Sequence, residues 1–439
     1  MEKSLSILIA LIITFLFVFP AGAADISPPP VLESEAAVLM DAKTGQILFE
    51  KNMNQQLYPA SITKIMTILL GLENGNPDDM ITMSHQAVYS IERGSAHIAL
   101  DEGEQITMEQ ALMAAMLPSA NDASNGIAEH IGGSVPEFVK LMNQRAAAAG
   151  ALNTHFANAN GLHDNEHVTT AYDMAMITQE ALMNEQFRRI FGTVQFEIPP
   201  TNKKTEPRYF WTEHKMMKPG KYEYDGVIGG KTGYTKEAEC TLVTAARRGD
   251  RELIVVVLKS STSGVYNDTK ALLDYGFDEF VDASVMLPAV TADNFTGSSD
   301  GIQVAQELLD QTNGSGYSRL LHKNIDPEDI QIDYTTIVNP DTSDSQLKID
   351  LYLKNPSAYM CSALGSILLD IPRPAAENTI WSTALDVTAL MFKIIAVIII
   401  ALYGLRFYIK FKRRRRRGYG VIDTAIKRGT RINYSRTKD

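Results

Sequence analysis

The chain has 439 residues, 45% of them apolar and 21% charged, enough for two to three domains and too ordinary for a disordered, collagen-like or coiled-coil protein. Cys240 and Cys361 are its two cysteines, which excludes a disulfide-rich scaffold and a four-thiolate zinc site. The net charge of −11 is unevenly spread: after Leu405 thirteen Lys and Arg face two Asp, so this tail carries +11 and residues 1–405 carry −22, an acidic body ill suited to nucleic acid.

The chain opens with Met1-Glu2-Lys3, an apolar run Leu5–Phe19, Pro20 and the small residues Ala21-Gly22-Ala23-Ala24. This reads as a signal peptide over residues 1–24, cleaved near Ala24 or Asp25, rather than as an uncleaved anchor helix. Ala36–Asp41 and Gln46–Lys51, joined by Ala42-Lys43-Thr44-Gly45, predict a hairpin. Pro59–Leu70, Ile106–Met116, Asn121–Ile131 and Val135–Ala149 repeat apolar residues at helical spacing. After Gly229 the pattern returns to strands: Lys231–Thr235, Cys240–Arg247, a Gly249-Asp250 turn, then Glu252–Lys259 with a continuous apolar centre. Strands at both ends of a helical interior predict an α/β domain over residues 25–277, its antiparallel sheet flanked by helices and built from both chain ends.

Residues 278–383 read as a linker and a small β-rich domain. The stretch 291–317, rich in Thr, Ser, Gly, Asn and Asp, is expected to be weakly structured apart from a short helix around Val304–Leu309, and Ile330–Val338 and Leu347–Leu353 alternate like half-buried strands. A C-terminal transmembrane helix is expected within residues 384–408. Val387–Leu405 is apolar except for Thr388 and Lys393, and at about 1.5 Å per residue it nearly crosses a hydrocarbon core of about 30 Å. An amphipathic helix on the membrane surface is the competing reading, but Ile394–Leu405 is apolar on all faces. Residues 409–439, with Arg413 to Arg417, should then be a cytoplasmic basic tail touching membrane lipids, leaving the body outside a single-pass cell-membrane anchor.

Three short motifs carry chemistry. In Pro59-Ala60-Ser61-Ile62-Thr63-Lys64, Ser61 and Lys64 project from one face of a helix start, so a lysine can serve its serine. Backbone N–H groups at that helix end suit a developing oxyanion. Ser345 and Lys348 have the same spacing, but in a strand pattern they face opposite sides. In Pro118-Ser119-Ala120-Asn121, Ser119 can pass a proton and Asn121 can hold a carbonyl, while an N-cap is the structural alternative for Ser119. In Gly230-Lys231-Thr232-Gly233, at the head of a strand, Lys231 and Thr232 suit a substrate carboxylate and the glycines allow close approach. Lys43-Thr44-Gly45 is a decoy in the hairpin turn.

S-x-x-K, then S-x-N, then K-T-G in this order is specific as a set. With AAVLMDAKTGQILFEK (36–51), YPASITKIMT (58–67), NANGLHDNEHVTTAYDM (158–174) and GGKTGYT (229–235), the chain resembles serine-type D-alanyl-D-alanine carboxypeptidases, the low-molecular-weight penicillin-binding proteins, over about residues 33–277. The resemblance implies a β-lactamase/D,D-peptidase-like fold, Ser61 as acylated nucleophile, Lys64 as its base, Ser119 as proton relay and Asn121 as substrate ligand. It further implies that Lys231, Thr232 and Gly233 line the opposite wall and that the backbone N–H groups of Ser61 and Tyr234 form the oxyanion hole. Peptidoglycan stem peptides are the implied substrates and β-lactams the implied inhibitors, with no cofactor and no metal. Lys64 must be uncharged to act, and Lys231 nearby would lower its pKa. Ser-Ala-Asn stands where class A β-lactamases have Ser-Asp-Asn, and the chain after Phe277 matches the family only loosely.

Other residues compete for attention. His163-Asp164-Asn165-Glu166-His167 fits a zinc-peptidase pattern but reads as a loop with solvated histidines. Cys240 reads as a small core residue, with pairing to Cys361 open, and Met113 and Met116 read as core. A β-lactamase and a penicillin-binding sensor or scaffold without turnover are the alternatives. Glu180 lies in an ordinary helix pattern, not in a loop that could activate deacylating water.

Overall fold

The computed structural model describes residues 28–295, 299–315, 317–338, 345–354 and 362–371. The chain divides into two units, residues 1–373 and 374–439, and every described residue belongs to the first. The leader, Cys361, the apolar stretch Val387–Leu405 and the basic tail lie outside the described residues, among which no helix is long and apolar enough to cross a membrane.

Ala36–Asp41 (β1) and Ile47–Lys51 (β2) form the opening hairpin. Its turn is closed by the Asp41 carboxylate, which accepts from Thr44 N at 2.9 Å and Thr44 Oγ1 at 2.6 Å, so the first Lys-Thr-Gly is a turn device. Helices Lys64–Asn74 (α1), Met108–Met116 (α2), Asn121–Gly132 (α3), Val135–Ala148 (α4) and Ala171–Leu182 (α5) follow. Val227–Thr235 (β3), Glu239–Arg248 (β4) and Arg251–Ser260 (β5) complete a five-stranded antiparallel sheet of order β2-β1-β5-β4-β3. Gly264–Asp278 (α6) covers its other face.

The continuous apolar run of β5 follows from burial on both faces. Ile254, Val256 and Leu258 join Val38 and Met40 under the helical layer, while Leu253, Val255 and Val257 join Leu39 against Leu272 and Leu273. Each such side chain contributes about 1.5–3 kcal/mol when fully buried, an upper figure for a compact unfolded chain. Because β5 sits between β1 and β4, this burial fastens both chain ends to the sheet centre.

Several boundaries differ from the sequence reading. The segment before α1 is a 3-10 turn, Ala60–Thr63, not the first turn of an α-helix. Gln105–Thr107 is a short strand, and α2 starts only at Met108, where Thr107 and Gln110 form a capping box. Strand β3 begins at Val227, so Lys231-Thr232-Gly233 lies inside it rather than at its head. Ser299–Ser315 is one helix where a mostly irregular stretch was expected. Gln303, Glu307, Asp310 and Gln311 form a solvent face, and Ala305 and Leu309 reach the core beneath.

In residues 280–371, strand Phe280–Val285 pairs with Tyr317–His322, and Ser345–Leu353 runs between Ile330–Val338 and Ala363–Ile371. Gln46 clips this region to the opening hairpin: its Nε2 donates to Leu320 O at 2.7 Å and its Oε1 accepts from Leu320 N at 3.0 Å.

Candidate active site

Ser61 lies in the Ala60–Thr63 turn, whose entry is strained, since Ala60 holds φ +52. A chain of hydrogen bonds supports that turn. Ala157 N donates to His167 Nδ1 at 2.9 Å, which leaves the ring proton on Nε2, 2.7 Å from Thr63 Oγ1. Thr63 Oγ1 in turn donates to Ala60 O at 2.8 Å. Burial pushes the His167 pKa down to about 3, so the ring stays neutral in this role. Gly161 completes the support: at φ +86, a Cβ there would lie 2.0 Å from Ala60 O and 2.9 Å from Ser61 N.

Lys64, the first residue of α1, is fully buried beneath Ser61. Its Nζ lies 3.1 Å from Ser61 Oγ and donates to Asn121 Oδ1 at 2.7 Å and to Asn160 O at 2.5 Å. Burial first, and the Lys231 charge second, hold its pKa well below the ordinary lysine value. The sequence reading assigned this shift to Lys231; desolvation leads.

Ser119 stands between α2 and α3 at φ +61. It is not an N-cap, because α3 is preceded by Ala120 and has no side-chain cap, and its Oγ instead accepts from Lys231 Nζ at 2.9 Å. Asn121 opens α3, and Asp122 behind it accepts from the backbone N–H groups of Ile98 and Leu100. With Asn121 N donating to Ala96 O at 2.8 Å, this holds the loop that carries Gly94, Ser95 and Ala96 along the cleft.

The third wall is β3, an edge strand with one side unpaired in the sheet. Lys231 is buried, donates also to Thr232 O at 2.8 Å, and has its pKa lowered by burial to about 8 against the pull of Glu213. Thr232 Oγ1 donates to Glu213 Oε2 at 3.2 Å. Gly233 is required by proximity: a Cβ there would lie 2.4 Å from Thr241 Oγ1 and 2.9 Å from Ser61 N. Behind the strand, His214 Nε2 bonds Thr244 Oγ1 at 2.8 Å, and its ring fills the space that any side chain at Gly230 would need.

These walls enclose a cleft of about 560 Å³ onto which Ser61, Ser119, Asn121, Thr232, Gly233 and Tyr234 open, with Lys64 and Lys231 buried behind it. A crevice of about 680 Å³ at the opposite end of the sheet, by the Lys43-Thr44 turn, holds none of these residues. The structure therefore brings together all eight residues selected from the sequence. Ser345 and Lys348 lie apart from them on a C-terminal strand, where Lys348 pairs with Asp350 at 2.9 Å. Glu180 lies in α5 and pairs with Arg145 at 3.0 Å.

Two residues differ from their expected surroundings. His167 is buried and bonded through both ring nitrogens, not solvated, and so is not free to hold a metal. Cys240 is half-buried on the cleft wall, its Sγ 3.6 Å from Thr262 Oγ1, rather than in the core. The sequence reading missed Asn160, Asp122, Glu213 and the His167–Thr63 pair. Asn160 acts through its backbone carbonyl, which no residue type announces, but it lies within the segment 158–174 that carries part of the family resemblance.

The pattern of the D-alanyl-D-alanine carboxypeptidase family, Peptidase_S11, matches residues 23–262. The chain is 37% identical to the D-alanyl-D-alanine carboxypeptidase DacF of Bacillus subtilis over 257 residues, 56% of this chain and 63% of that protein's length. It is 31% identical to DacC of Escherichia coli over 289 residues, 63% of this chain and 70% of DacC. Among solved structures, the D-alanyl-D-alanine carboxypeptidase of Mycobacterium tuberculosis superposes with TM-score 0.53 at 27% identity, covering 58% of this chain and 94% of that one. The Streptomyces K15 DD-transpeptidase does so with TM-score 0.54 at 28% identity, covering 57% and 99%. Sequence pattern, fold and the three converging motifs agree, and the chain belongs to the D-alanyl-D-alanine carboxypeptidase family.

Proposed function

We propose that the protein is an exported, membrane-anchored serine D,D-carboxypeptidase that removes the terminal D-alanine from peptidoglycan pentapeptides through a Ser61 acyl-enzyme, and that β-lactams acylate the same serine. The observation that carries this reading is the geometry of Lys64. A neutral amine has two hydrogens and one lone pair; the carbonyl oxygens of Asn121 and Asn160 take the hydrogens, and the lone pair is left for Ser61 Oγ.

In the reaction, Lys64 takes the hydroxyl proton while Ser61 Oγ attacks the carbonyl carbon between the two D-alanines. The N–H groups of Ser61 and Tyr234 hold the oxyanion. The C–N bond breaks as a proton passes through Ser119 to the leaving amine, D-alanine departs, and water then opens the ester by the reverse proton path. An extended peptide lies along the free edge of β3, with its carboxylate held by Thr232 and the Lys231 charge. Of the described residues lining the cleft, Glu213 is the sole carboxylate, and it already accepts from Thr232, which supports a peptidase over a β-lactamase with rapid release of opened penicillin. The leader and Val387–Leu405 support export and anchoring.

Labelled penicillin with intact-mass detection, followed by D-alanine release from a pentapeptide, tests this. Ser61→Ala should abolish both signals and Ser345→Ala neither. Label surviving Ser61→Ala would refute the mechanism, and stoichiometric trapping of the peptide without release would make the protein a sensor.

A further inference from the structure

The hairpin Gln195–Ile198 with Arg208–Trp211 lies on the body by one face. Phe196 and Phe210 pack on the helical core, Ile198 is buried, and Arg208 pairs with the buried Glu104 at 2.5 Å. The other face looks into solvent and carries two aromatic rings, Tyr209 at 49% and Trp211 at 52% exposure. Register sets Trp211 opposite Gln195 and Tyr209 opposite Glu197, both exposed, so rings on one strand stand beside an amide and a carboxylate on the next. The strand runs through Thr212 directly into Glu213, the residue on the cleft wall that accepts from Thr232.

We propose that this face, Trp211 and Tyr209 with Gln195 and Glu197, binds the glycan strand to which the stem peptide is attached. The inference rests on the carboxypeptidase reading and extends it to the non-peptide part of the substrate. Sugar rings present apolar C–H faces that stack on aromatic rings and hydroxyls that bond an amide or a carboxylate, and same-face residues two apart on a strand are about 7 Å apart. Glu197 disfavours a polyanion, and the continuity with the cleft favours a ligand covalently continuous with the peptide. A sugar contact joined to the peptide contact by a short covalent link acts at high effective concentration, which adds to the affinity the two rings have for free glycan.

The test compares D-alanine release by the full chain from a disaccharide-linked pentapeptide and from the free pentapeptide, and retention on peptide-free glycan strands. Tyr209→Ser combined with Trp211→Ser should lower kcat/KM on the glycan-linked substrate about tenfold, leave the free pentapeptide and penicillin acylation unchanged, and abolish retention that the wild type shows. Equal losses on both substrates, or no difference in retention, would overturn the proposal. If the wild type releases D-alanine from neither substrate, the carboxypeptidase reading fails, and retention on peptide-free glycan still decides the sugar face by itself.

Discussion

Lys64 can accept the Ser61 proton only as a free amine, and Lys231 can attract a carboxylate only as a cation, so the two buried lysines must differ in charge at the working pH. Burial and the neighbouring cation push Lys64 well below its ordinary range, while Lys231 is lowered only to about 8. Penicillin acylation should accordingly fall on acidification, as Lys64 gains a proton, and fall again above pH of about 8, as Lys231 loses one. Measured rates against pH should trace a bell, and a profile still rising past pH 9 would contradict the Lys231 role. Lys64→Met should slow acylation about 10²–10⁴-fold with the fold retained and remove the acid limb. At this scale the sequence singled out Ser61, Lys64, Ser119 and Lys231 by the chemistry of their side chains, and the structure brings these four into one site. The sequence was silent where the backbone acts, as at Asn160 O, and misleading where burial reverses a loop residue's surroundings, as at His167.

The elements that carry the site are held together at Gly161 and Gly233, each of which brings its backbone close to the backbone of the Ser61 turn. At Gly161 a methyl group would collide with Ala60 O, and φ +86 adds strain. Gly161→Ala should therefore displace Ser61 and slow acylation about 10²-fold, a cost typical of an ångström-scale misplacement. Gly249→Ala, at φ +61 with open space around it, should lower stability by about 1 kcal/mol and leave the acylation rate alone. Acylation rates and thermal melts on the two variants separate these effects, and equal acylation rates would remove the packing argument. Strands β1, β2, β4 and β5 could be read from short apolar runs bounded by turn residues, and helices α3 and α4 from apolar residues at helical spacing, because each buries a large share of its own positions. The short elements could not: the 3-10 turn at Ser61 and the strand Phe280–Val285 are set by their neighbours rather than by their own pattern.

At the scale of the molecule, the proposed membrane anchor rests on the apolar stretch Val387–Leu405 and the basic residues that follow it. A chain ended before Ala384 should be soluble and fully active, whereas the full chain should resist extraction by carbonate or high salt. Release of the full chain by carbonate would place Val387–Leu405 on the surface instead. The sheet adds a constraint in time. Its centre pairs Ala36 with Leu258 and its edge sets Gly233 against the Ser61 turn, so the nucleophile comes from the first part of the chain and its facing wall from residues made some 170 positions later. Until Thr235 has been synthesised, the growing chain holds Ser61 and Lys64 without the strand that faces them, and until Ser260 it lacks β5, which joins that strand through β4 to β1. Closure over such sequence separations is slow, and chains ended before Ser260 should be inert to penicillin, because Ser61 then lacks the closed sheet that holds its facing wall in place.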